Sequence, residues 1–95
     1  MTHEIATSLD PSAVIARAKT FFAERVPNQA AFPEEEGATF LVLRGQGGQE
    51  ITLAVIPQED GRMQVRASTL FFDQSVARFL STLPPPPPTS RRGAA

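Results

Sequence analysis

The chain reads as one small α+β domain, β-α-β-β-β-α, in which a four-stranded, mainly antiparallel sheet carries two helices on one face. Three features point there. Two amphipathic stretches at helical period, around residues 11–26 and 69–83, enclose the middle of the chain. Three β-rich segments stand between them, separated by short glycine-bearing loops. The 95 residues, 41% of them hydrophobic, suffice for a single core and little else.

Residues 3–9, "HEIATSL", alternate Ile5, Thr7 and Leu9 against Glu4, Ala6 and Ser8, the period of a half-buried strand. Asp10-Pro11 stops it and opens a helix: Asp caps free N–H groups, and Pro suits the first turn because its missing donor has no partner there. Val14, Ile15, Ala18, Phe21, Phe22 and Val26 then share one face, opposite Arg17, Lys19, Thr20 and Glu24. Pro27 ends the helix at about 16 residues, ~24 Å. Residues 27–37, "PNQAAFPEEEG", carry two prolines and no period, and read as a loop pinned by Phe32.

Strands follow at 38–44, 50–57 and 62–69. Pairing Arg44 with Gln49 across "GQGG" sets Val42 opposite Ile51 and Phe40 opposite Leu53. A three-residue Glu59-Asp60-Gly61 loop pairs Val55 with Val65 and Leu53 with Ala67. One face then gathers Phe40, Val42, Ile51, Leu53, Val55, Met63, Val65 and Ala67 as the core side. The closing helix aligns Phe72, Val76, Phe79, Leu80 and Leu83, with Ser68 or Thr69 as cap and Asp73 at its positive end. Pro84 terminates it, so residues 1–83 form the domain and 84–95 a proline-rich, disordered tail. The sheet position of the first strand, beside 62–69 or beside 38–44, is left open by the pattern.

Composition excludes several functions. With no cysteine there is no disulfide, thiolate nucleophile or Cys-ligated metal. The opening residues lack the basic and apolar regions of a secretory signal, and no apolar run nears the ~20 residues that span a bilayer, which points to a cytoplasmic protein. Residues 1–83 hold seven of the nine basic groups and all ten acidic ones, a balance opposed to general nucleic-acid binding.

The run Leu43–Glu50, "LRGQGGQE", has the glycine density of a phosphate cradle. Such a cradle needs a helix after its glycines, to supply converging N–H groups, and here a β-branched strand follows, so the run is a hairpin. His3 is the only histidine and stands in the first strand, far from any nucleophile in sequence. Glu34, Glu35 and Glu36 are contiguous and point in different directions, the pattern of a solvated loop rather than a metal cage. Arg44, Arg62 and Arg66 make a modest basic stripe without aromatic neighbours for base stacking. No cofactor is implied.

"EIATSLDPSAVIARAKTFF" resembles the opening strand, cap and first helix of the START/polyketide-cyclase (SRPBCC-like, helix-grip) superfamily, and "GRMQVRASTLFFDQSVARFLSTL" looks like its last strand and closing helix. The resemblance covers architecture and carries no diagnostic motif. It implies an apolar-ligand or lipid carrier, with a pocket near Phe21, Phe22 and Phe40. The residues themselves favour another function. In the register above, the second sheet face presents Leu41, Leu43, Ala54 and Ile56 beside Thr52, Gln64, Arg66 and Ser68, more aliphatic than a solvated face. Either a helix, the long loop or the first strand covers this face within the monomer, or Leu41, Leu43, Ala54, Ile56 and Arg66 are the candidate interface of a non-catalytic interaction or accessory subunit, with self-association or a protein partner as its use. The proline run offers a second contact for an aromatic-lined groove.

Overall fold

A computed structural model describes residues 2–24 and 30–86. In chain order the elements are β1 (Thr2–Thr7), α1 (Pro11–Ala23), β2 (Ala31–Glu36), β3 (Phe40–Gly45), β4 (Glu50–Pro57), β5 (Met63–Thr69) and α2 (Asp73–Ser81). The fold is α+β, and the sheet is antiparallel with five strands rather than four, in the order β1-β5-β4-β3-β2. The first strand lies beside 63–69.

The additional strand comes from the segment read as a loop. β2 has no alternating pattern to betray it: of "AFPEEE" only Ala31 is buried. It is an edge strand, held by its pairing with β3, and a bulge between Pro33 and Glu35 interrupts the ladder.

The two central hairpins share one turn geometry. At Gln58–Arg62 the Gln58 N–H bonds the Arg62 carbonyl at 2.8 Å, and Gly61 takes φ +85°. At Gly45–Gln49 the Gly45 N–H bonds the Gln49 carbonyl at 2.7 Å, and Gly48 takes φ +86°. Both are three-residue loops closed by a glycine in the left-handed region, where a Cβ is costly. The second loop has one glycine and its register is as expected, Val55 with Val65 and Leu53 with Ala67. The first has two glycines and a third, Gly45, in its closing pair, and using Gly48 as the left-handed residue moves the pairing by one: Arg44 faces Glu50, Leu43 faces Ile51 and Leu41 faces Leu53.

A shift of one residue exchanges the faces of β3. The core therefore contains Leu41 and Leu43, both 0% exposed, with Ile51, Leu53, Val55, Val65 and Ala67. Phe40 and Val42 pass to the other side, so the placement of Leu41 and Leu43 on an exposed face is corrected.

Both helices pack on this core side. α1 contributes Val14, Ile15, Ala18 and Phe22; α2 contributes Val76, Phe79 and Leu80, with Phe72 and Leu83 at its ends. Phe21, Phe22 and Phe79 form a three-ring contact between the helices, with centroids 5.1–5.7 Å apart. Asp10 occupies the N-cap position of α1 without a side-chain cap bond; its carbonyl accepts from Ala13 and Val14. At α2 the cap position is Phe72, and Thr69 acts at the end of β5 before it, its buried hydroxyl accepting the Phe71 and Phe72 N–H groups.

The other buried threonine ties the end of the fold to its beginning. Thr7 Oγ1 donates to the Pro84 carbonyl at 2.7 Å and accepts from Leu9 N–H, and Ser8 N–H also reaches Pro84. Pro84 is thus fastened to the end of β1. The tail from 87 onward lies outside the described residues.

Candidate interaction surface

With both helices on one side, no described helix or strand lies over the other sheet face. Its composition follows from the strand registers. One row across the sheet runs Glu4, Arg66, Ala54, Phe40; the next runs Thr2, Ser68, Thr52, Val42, Glu35. Ile56 faces Gln64, and Arg44 stands between Glu50 and Phe32.

Phe40 and Ala54 are directly opposed, Val42 is two residues along β3, and Ile56 is two along β4, diagonal to Phe40. These four make an apolar island, with Phe40, Val42 and Ala54 half-buried and Ile56 38% exposed. Charges frame it on both sides, most of them paired, with the exposed Glu35 opposite Val42. Towards β1, Glu4 accepts from Arg66 at 2.8 Å and from Gln64 at 2.7 Å. Towards β2, Arg44 donates to Glu34 from Nε at 3.2 Å, approaches Glu50 at 3.4 Å and donates to the Gly48 carbonyl at 3.0 Å. The Arg44 hydrogen bond holds the Glu34 carboxyl below its usual value. An apolar centre inside a polar rim is the general anatomy of a protein–protein interface.

One end of this face is more apolar still. Leu70 and Phe71, in the bend between β5 and α2, are 79% and 70% exposed. Beside them a groove of about 320 Å³ runs over Thr52 and Ser68, between the bend and the Gly48-Gln49 turn. The sequence signal for this bend is a pair of large apolar residues that fit neither the strand period nor the helix period.

Of the candidate interface residues, Ala54, Ile56 and Arg66 share the open face, whereas Leu41 and Leu43 are in the core. The candidate ligand pocket does not assemble: Phe22 is buried, Phe40 is on the opposite side of the sheet, and Phe21 lines a solvent-open cleft of about 450 Å³ between the helices with Arg17, Thr20, Glu24 and Phe79. Glu34 and Glu36 go to different cations, Arg44 and Lys19. No group of three or more potential metal ligands occurs among the described residues. Nor is any helix among them long and apolar enough to cross a membrane.

His3 is half-buried, and its Nε2 is 2.8 Å from Asp73 Oδ1 at the first turn of α2. The contact fastens the edge strand to a helix end whose dipole favours a carboxylate. The His3 hydrogen bond is the foremost cause holding the Asp73 carboxyl below its usual value. A depressed carboxyl stabilises the fold above its unfolded pKa, and this stabilisation is lost as pH falls through the folded value. Asp73→Asn is therefore expected to lower the melting temperature at neutral pH, with the gap to the wild type closing below about pH 4. Melting curves taken across that range check it.

No family model, curated protein or solved structure matches this chain.

Proposed function

We propose that this chain is a non-catalytic interaction domain, an accessory subunit that offers the helix-free face of its sheet to a partner protein. The observation that carries this reading is the contiguous island of Phe40, Val42, Ala54 and Ile56 inside a rim where Glu4, Arg66, Arg44, Glu34 and Glu50 already have partners. Such a rim is desolvated at less cost than free charges, and the island supplies the apolar area that drives association. The chemistry it fits is an apolar ridge flanked by polar groups.

Ile56→Asp is the test. A carboxylate set into the apolar island is expected to weaken association by about 30-fold or more, corresponding to the ≥ 2 kcal/mol that truncating a hot-spot contact costs. Far-UV circular dichroism should stay unchanged, because Ile56 lies outside the core. A photo-crosslinker at Thr52 should trap one protein in the native host, and the Ile56→Asp chain should not. Equal trapping with and without the substitution refutes the reading.

A second reading, a carrier of a small apolar ligand, draws on the interhelical cleft, whose size is within the range of ligand sites. That reading requires a rise in melting temperature with an added hydrophobe, since a ligand bound only by the folded state stabilises it. The interaction reading predicts none.

A further inference from the structure

The two edges of the sheet are built differently. The β2 edge carries the usual guards against pairing with another chain: a proline at 33, a bulge between Pro33 and Glu35, and three consecutive glutamates. β1 at the other edge has none of them. Its six residues pair with β5 without interruption from Thr2 to Thr7, and its two ionisable groups are engaged elsewhere, Glu4 with Arg66 and His3 with Asp73. Pro84 bonds Ser8 and Thr7 at the end of the strand. Among the described residues no strand lies outside Thr2–Ala6.

We propose that this edge receives a second copy of the chain, with β1 paired antiparallel to β1 of the partner copy about a twofold axis at Ile5. An antiparallel edge suits a second copy because a twofold axis perpendicular to the sheet maps the strand onto itself reversed. Opposed residues in such a pair lie on the same face, so the axis passes through a residue rather than between two. At Glu4 it would bring two carboxylates face to face, which is unfavourable. At Ala6 it would set Ser8, whose N–H is already bonded to Pro84, opposite Glu4 close to the axis, whereas an axis at Ile5 meets Ser8 only at the strand end, opposite Thr2. At Ile5, Glu4 of each copy faces Ala6 of the other, and the two Ile5 side chains meet on the core side, where Ile5 already packs against the cluster. The result is a ten-stranded sheet with one continuous open face. The pairing is independent of what that face binds.

The register gives a charge test at Ala6, which is on the open side, opposite Gln64, and outside the core cluster. The wild type is expected to sediment at twice the 10.3 kDa chain mass. Ala6→Glu sets two carboxylates against two others and should weaken the dimer about tenfold, with circular dichroism unchanged. Ala6→Lys sets two ammonium groups against the same carboxylates and should leave the dimer as tight as the wild type or tighter. Ile56→Asp should not alter it, which separates this interface from that of the open face. A wild type that stays monomeric at its highest soluble concentration overturns the proposal, as does an equal effect of the Ala6 glutamate and lysine variants.

Discussion

Leu41→Asp is expected to unfold the domain, and Leu43→Asp to do the same. Both side chains are completely buried at the centre of the sheet, opposite Leu53 and Ile51. Removing a buried leucine costs about 2–5 kcal/mol, and placing a carboxylate there adds several more or forces its protonation. A domain of this size has about 5–15 kcal/mol in total, so little or no folded population should remain. Val42→Asp, one residue away, reverses the side and should preserve the native circular dichroism and a cooperative urea transition. The comparison of 41 and 43 with 42 is a direct test of the β3 register. Unfolding by Val42→Asp with Leu43→Asp tolerated would mean that the strand is paired one residue out.

Phe79→Ala is expected to cost about 3–5 kcal/mol. This ring touches both Phe21 and Phe22 and is the point at which the helices lock together above the sheet. Its removal opens a cavity that the flanking backbone cannot fill, and it also removes two aromatic contacts worth about 0.5–1.5 kcal/mol each, part of the same total. At this chain length the melting temperature should fall by about 15–30 °C. Phe22→Ala should act similarly, and the double variant should lose less than the two singles together, because both remove the Phe22–Phe79 contact. Strict additivity, read from urea midpoints, would show that the rings do not form one unit.

How far the sequence reveals this fold depends on how many alternatives each segment offers. β4 and β5 were legible because "EDG" holds a single glycine and both flanking strands alternate cleanly. The helices were legible because Val14, Ile15, Ala18 and Phe22, then Val76, Phe79 and Leu80, repeat at one period. β3 was ambiguous: in "FLVL" both faces are apolar, so either parity makes a plausible core, and the three glycines after it permit two registers. The surplus of hydrophobicity that conceals the register is the same feature that leaves Phe40 and Val42 on the open side. β2 was hidden because an edge strand guarded by proline and glutamate has the composition of a loop. Ala54, Ile56 and Arg66 are assignable to the open face from sequence because they belong to the hairpin with a single possible glycine turn. Leu70 and Phe71 follow no period, and their exposure is set by the bend between β5 and α2 rather than by local sequence.

Thiol footprinting links the β3 register to the use of the open face, since the chain has no cysteine of its own. Single cysteines at Val42, Leu43 and the exposed Thr20 would be reacted with a small alkylating reagent, in the isolated protein and in native host extract. In the isolated protein the thiol at 42 should react readily and that at 43 only on unfolding. In extract, the thiol at 42 should be protected and that at 20 should react as before. Faster reaction at 43 than at 42, or the same rate at 42 in both settings, would contradict a partner-binding face built on Phe40, Val42, Ala54 and Ile56.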